Sequence, residues 1–312
     1  DSTWSEYNTK NKISKSQSPI FAIYNYNVTH ESGMWKRDKE KLKVNPNDLK
    51  IIPPIFPDDS IVRHSLAVNY SNLIEMDKQV GKLVNHLKDE DIYDDSYIFF
   101  YSDHGGPFPR HKRAIYETGT KVPFFVKLPK GNKEKVDKSQ FLSFVDFAPT
   151  VLSIAGIDIP SFQQGKPFLG KSKDESVREY LFTSSDRFDE HPDRIRAVRG
   201  EKYKYIRNYN PENSHALNVA YRRQMVLMRH LNSLHLTGEL SKKHDLWFRV
   251  PKLKEELYDL ENDPFELNNL SDNTDFKEEL NKLSNVLDDW LEEIDDLGRI
   301  PEKKLFKMIS GD

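Results

Sequence analysis

The 312 residues carry 47 Lys and Arg against 50 Asp and Glu, a formal charge of −3, so bulk electrostatics gives no reason to expect nucleic acid as a partner. With 37% hydrophobic and 12% aromatic residues the chain has material for a core, which excludes intrinsic disorder. A mean hydropathy of −0.75, with no apolar run near the roughly 20 residues of a bilayer span, excludes a transmembrane helix. Cysteine is absent, which removes disulfides, thiolate metal sites and a cysteine nucleophile together. The chain opens without Met or a signal-peptide pattern, so residue 1 is read as a cut or processing point.

Length favours about two domains. Ile20 to Val28 is aromatic and β-branched and reads as a strand ending at His30, Glu31 and Ser32. Pro46, Pro53, Pro54 and Pro57 break the connection that follows, because proline lacks the N–H donor and fixes φ. Asp58, Asp59 and Ser60 then supply N-cap chemistry for a helix whose Leu66, Tyr70, Leu73, Val80, Val84 and Leu87 fall on one face. Tyr97 to Tyr101 is apolar on both faces, as in a central strand, and Val122 to Val126 is a further strand. Phe144 to Ala155 predicts a short helix closed by Gly156. The alternation argues for an α/β sheet with a parallel component, flanked by helices. Past about Gly170 short strands at 180–183, 195–198 and 203–206 suit a small antiparallel sheet, so the domains are placed at 1–170 and 171–312. Asn218 to Leu234 reads as an inserted helix. Phe276, Leu280, Leu283, Leu287, Trp290 and Ile294 form a narrow apolar stripe on a last long helix, expected to pack on the small sheet.

Ligands of open α/β sheets gather at the carboxyl ends of strands. Asp103 and His104 follow an apolar strand and precede two glycines; a carboxylate beside an imidazole suits a divalent cation, and the same tetrapeptide is also ordinary turn chemistry. His30 has two readings as well, a functional imidazole or a loop histidine bonding backbone. Pro109-Arg110-His111-Lys112-Arg113 sits on a short tether from Asp103, so a lysine and a cation converging there would form an oxyanion clamp. Lys112 is the candidate for direct contact, with Arg110 and Arg113 serving structure or substrate.

In order, the segments Phe21 to Ser32, Tyr101-Ser-Asp103-His104-Gly, Pro109 to Pro123, Phe144 to Leu152, Val198 to Ile206 and Glu256 to Leu270 resemble the type I sulfatases, with their alkaline-phosphatase-like fold. Met34-Trp35, Phe108-Pro109-Arg110 and Arg222-Arg223-Gln224-Met225 resemble most the heparan N-sulfatase-like branch, which acts on sulfated sugars. The resemblance implies catalytic roles for His30 and Lys112, and metal ligation by Asp103 and His104. It implies calcium as the cation; the imidazole leaves room for manganese or zinc. Arg113, and Arg187, His191 and Arg194 in the loops of the C-terminal sheet, become candidates for gripping a polyanionic saccharide, since a guanidinium meets sulfate bidentately.

The family nucleophile is a formylglycine made from Cys or Ser in a Cys/Ser-x-Pro-Ser-Arg motif. Ser16-Gln-Ser-Pro-Ile does not match it, and no Cys occurs. The expectation is therefore that these residues are the C-terminal portion of a sulfatase, with the formylglycine upstream and the N-terminal part as its missing partner, and that the chain is inactive alone. Secretion or periplasmic export follows from the family and its polymeric substrates. Two other readings share the segments: a phosphodiester or phosphonate monoester hydrolase of the same fold, and a module that binds sulfated glycan without cleaving it.

Overall fold

A computed structural model describes residues 19–134 and 140–310; Ser16 to Ser18, compared above with the nucleophile motif, lie outside them. The elements run α1 (Gly33–Lys36), α2 (Ser60–Asp89), β1 (Ile98–Tyr101), α3 (Glu117–Thr120), β2 (Phe124–Lys127), α4 (Phe147–Ala155), β3 (Leu181–Phe188), β4 (His191–Arg199), β5 (Tyr203–Asn208), α5 (Val226–Thr237), α6 (Lys242–Asp245), β6 (Glu255–Asp259), α7 (Lys277–Glu293) and α8 (Glu302–Ser310), joined by turns and single 3₁₀ segments. The chain divides into two compact units, Asp1–Asn132 with Ser214–Val250, and Lys133–Asn213 with Pro251–Asp312. This division differs from a boundary at 170, since both units are discontinuous in sequence.

In the first unit α2 starts where the cap chemistry places it: the Asp59 carboxylate accepts from the backbone N–H of Ile61 and Val62, both at 2.9 Å, filling donors that the first turn leaves open. Its buried face is Val62, Leu66 and Asn69 with Ser65 and Asn72, while Tyr70 and Leu73 are more than a third exposed. The apolar face therefore differs from the one the spacing predicts. On α5, His230 Nε2 meets Asp59 Oδ2 at 2.8 Å, which ties the inserted helix to the start of α2.

Three expectations are corrected here. Ile20 to Val28 forms no strand: Asn27–Thr29 is a 3₁₀ turn, Ile20, Phe21 and Ile23 are exposed, and no described residue offers that segment a ladder. The pair β1–β2 is antiparallel, with Phe99 opposite Val126 and Tyr101 opposite Phe124, so the described strands contain no parallel component. Nor is β1 covered on both faces, since Tyr101 is exposed.

The second unit holds the sheet β3-β4-β5-β6, antiparallel throughout. On it lies α7, as the stripe predicts: Leu280, Leu283 and Leu287 bury against Val198, Tyr205 and Leu257, and Trp290 stacks on Phe182 at 4.6 Å. Each fully buried leucine is worth about 1.5–3 kcal/mol. The Phe144 to Leu152 segment also gains a physical account. Buried Asp146 accepts from the backbone N–H of Ser143 (2.7 Å) and Lys166 (2.8 Å) and takes both arms of the Arg178 guanidinium at 2.5 and 2.6 Å. One carboxylate thus pins three stretches of chain. Beyond it α4 ends at Gly156 in the left-handed region, φ 71°, where a side chain would be strained.

Candidate active site

Five of the predicted residues, His30, Asp103, His104, Lys112 and Arg113, lie in the first unit. His30 follows the 3₁₀ turn, and the backbone N–H of Ser32 donates to its Nδ1 (3.2 Å), with the Ser32 hydroxyl 2.9 Å from the same nitrogen. Nδ1 is thereby the acceptor, and the neutral ring carries its proton on Nε2. One nitrogen of this histidine bonds backbone, as the loop reading has it, while the other is turned toward Lys112. Lys112 Nζ stands 3.3 Å from Nε2, although 82 residues separate the pair in sequence. Two donors face each other across that gap, an arrangement that a shared anionic oxygen relieves. Burial, then the Lys112 ammonium, then His104 push the His30 imidazole below its ordinary value, while Glu31 and Asp103 oppose them. The ring therefore lies within the field of Lys112, Asp103 and His104 together.

Sequence reasoning assigned no role to Glu31. It is buried, 1% exposed; its Oε2 accepts from Arg113 Nη1 at 2.5 Å and lies 3.6 Å from Lys112 Nζ. Adjacency to His30 was the only signal, and nothing in the residue order tells a buried glutamate from a solvated one. Arg113 is thus engaged with this carboxylate, and its guanidinium lies 5.9 Å from the Tyr221 ring. Two cations around one buried anion leave the pocket positive beside His30, which suits an oxyanion.

The loop carrying Lys112 is held in a tense backbone. Arg110 and Arg113 adopt φ of 61° and 67°, left-handed conformations that cost a non-glycine residue about 1–2 kcal/mol each. Compensation comes from Arg110 lying 4.4 Å over the Tyr116 ring, from Lys112 N–H donating to Gly106 O (3.1 Å), and from Gly105 N–H donating to Gly119 O (2.9 Å). That last bond straps the Asp103-His104 turn to the lysine segment. A Cβ on Gly119 would fall onto the carbonyl oxygens of His111 and Ala114. Gly119→Ala is therefore expected to shift residues 110–114 and cost roughly 1–3 kcal/mol. Thermal unfolding measures this, and a variant as stable as the parent would refute the close-approach argument.

His111 is structural. Its ring stacks on Phe56 (5.8 Å, 11°) and meets Phe108 edge-on (5.5 Å). Burial pushes its pKa down from 6.5 to about 4, with Arg110 adding to the depression and the Pro109 carbonyl opposing it. Because the folded value lies below the unfolded one, the unfolded chain binds the extra proton between them. The stability this ring contributes above about pH 6.5 is lost as pH falls towards about 4. An NMR titration of the His111 ring is expected to show no protonation until well below pH 6; a midpoint near 6.5 would contradict it.

The family resemblance implies a cation, and the Asp103–His104 turn can be tested for it. Asp103 Oδ1 lies 3.7 Å from His104 Nε2, and His104 Nδ1 meets the Gly105 carbonyl at 2.7 Å. With the ring proton on Nδ1, Nε2 keeps its lone pair for a metal. Among the described residues no group of three or more His, Cys, Asp or Glu is placed to hold a metal ion, and calcium wants six to eight oxygens. Asp103 and His104 alone fall short of such a shell.

Arg187, His191 and Arg194 belong to the second unit. Arg187 makes a two-armed pair with Glu302, 2.7 Å at Nε. Arg194 meets Asp296 at 2.6 Å and lies 3.8 Å over Tyr209. His191 is 3.7 Å from Glu190. Each already has a carboxylate neighbour.

A sulfatase family model matches residues 6–157, and a model of the C-terminal region of N-sulphoglucosamine sulphohydrolase matches residues 106–223. The chain belongs to the sulfatase family. An ulvan-active sulfatase of Formosa agariphila is 37% identical over 93% of this chain and 54% of its own length. Human N-sulphoglucosamine sulphohydrolase is 26% identical over 83% of this chain and 54% of its own. This sulfatase chain thus spans about half the length of the curated relatives it matches. A solved 2-O glycosaminoglycan sulfatase superimposes with a TM-score of 0.56 at 19% identity, over 87% of this chain and 59% of that one, which shows the shared fold.

Proposed function

We propose that this chain supplies one side of the active centre of a sulfatase that removes sulfate from a polysaccharide or oligosaccharide. The observation that carries the reading is the donor pair His30 Nε2 and Lys112 Nζ, 3.3 Å apart, set above a buried glutamate and beside an Asp-His turn. Lys112 holds a sulfate oxygen; His30 contacts the sulfate or protonates the leaving oxygen. Asp103 and His104 contribute part of the shell of a divalent cation, calcium by family, which when bound offsets charge on the sulfate oxygens. These 312 residues hold no Cys and no Cys/Ser-x-Pro-Ser-Arg motif from which a formylglycine is made, so this chain by itself is expected to bind without turnover. Arg187 would serve the saccharide only by exchanging Glu302 for a substrate anion, and Arg194 and His191 likewise. No helix of the described residues is long and apolar enough to cross a membrane; export to meet a polymeric substrate is part of the proposal.

The likeness to an ulvan-active enzyme makes ulvan oligosaccharides the first substrates to assay, with heparan-derived fragments second. The complete protein is expected to release inorganic sulfate from at least one of these, measured by ion chromatography. Hydrolysis of phosphate diesters or phosphonate monoesters, with no sulfate released from any glycan, would overturn the reading.

A further inference from the structure

We propose that Tyr221 is the seat for the sugar ring whose sulfate His30 and Lys112 hold, an assignment that rests on the sulfatase reading above. Tyr221 comes from the segment before α5, and its ring lies 6.4 Å from the His30 ring, tilted by 55°. It is 39% exposed yet firmly placed. Trp35 of α1 props it edge-on at 5.0 Å and 79°. The next residue, Arg222, is buried, donates to the carbonyls of Ala216 and Leu217, and lies 4.8 Å over Trp247. A partly exposed ring propped by a tryptophan, carried beside a buried guanidinium and with the Arg113 guanidinium 5.9 Å from its centroid, is preorganised, so binding on it orders little.

The chemistry of the ligand follows from the neighbours. A sulfate ester has one bridging oxygen between sulfur and a sugar carbon, so the sugar that carries the sulfate must lie next to the oxyanion seat. A pyranose presents axial C–H groups, polarised by the ring and hydroxyl oxygens, that match the electron-rich face of an aromatic ring. The ligand class is thus a pyranoside sulfate bound by its anion at His30 and Lys112 and by its C–H face at Tyr221. The ring, not its hydroxyl, provides the contact, which makes Tyr221 a specificity residue and leaves the sulfate contacts to others.

Steady-state kinetics of the complete protein on a sulfated oligosaccharide, with inorganic sulfate as competing inhibitor, test this. Tyr221→Ala is expected to raise KM about tenfold with kcat little changed, a change of about 1.4 kcal/mol. Inorganic sulfate, which reaches only the oxyanion seat, should inhibit Tyr221→Ala as well as the parent. Tyr221→Phe should restore the parental KM. An unchanged KM in Tyr221→Ala, sulfate inhibition that weakens in step with KM, or an equal loss in Tyr221→Phe would each overturn the assignment. Should the parent release no sulfate, the reaction reading falls, and tryptophan fluorescence of the 312-residue chain titrated with the oligosaccharide decides Tyr221 separately. Binding lost in Tyr221→Ala upholds it there; binding indifferent to Tyr221, or none, overturns it.

Discussion

Lys112→Ala in the complete protein is expected to lower sulfate release by roughly 10²–10³-fold, the usual cost of removing one oxyanion donor. His30→Ala should fall in the range of about 10²–10⁴ expected for a lost proton donor. The two groups stand 3.3 Å apart, so if they hold one sulfate as proposed, the double variant should lose far less than the product of the single losses. Folding is not expected to suffer: Lys112 lies at the edge of the ion cluster, and Glu31 keeps its closer partner Arg113 at 2.5 Å. Glu31→Ala is the contrasting case, because it leaves Arg113 and Lys112 without their buried anion. Sulfate release by Lys112→Ala at the parental rate, with an unchanged melting transition, would remove Lys112 from the site.

Asp193→Ala is expected to cost roughly 3–5 kcal/mol, the penalty for stranding one partner of a buried ion pair. The Lys252 ammonium meets both Asp193 oxygens at 2.6 and 2.5 Å, and each side chain is only 1% exposed. Burial holds the Lys252 pKa below its ordinary value despite the carboxylate, so desolvation is the larger contribution here. Replacing both partners together, Asp193→Leu with Lys252→Met, should recover most of the loss, because a packed apolar pair owes no desolvation. Urea unfolding of the second unit measures both. A single variant as stable as the parent, or a double variant no better than the single, would contradict the account.

Residue order alone carried the local features. Asp59 marked the start of α2, Gly156 the end of α4, and the stripe from Leu280 to Leu287 the helix that covers the small sheet. Cap geometry, a left-handed turn and helical periodicity depend on neighbours within a few residues, which is why they are legible in a string. The segments around His30, Asp103-His104 and Lys112 likewise carried the resemblance to sulfatases before any coordinates, while the absence of cysteine marked where that resemblance stops.

Pairing over distance was decided by the tertiary structure. The strand expected at 20–28 needs a partner edge that no described residue supplies, and β1 and β2 pair antiparallel because the intervening chain doubles back through α3. The same holds for the site. Only the fold puts Lys112 beside His30, buries Glu31 beneath them and swings Tyr221 alongside, since contacts between residues some 80 or 190 positions apart leave no periodicity in the sequence. What the sequence by itself determined was the chemistry available, including the lack of a cysteine from which a nucleophile could be made; the structure determined which of those groups stand side by side.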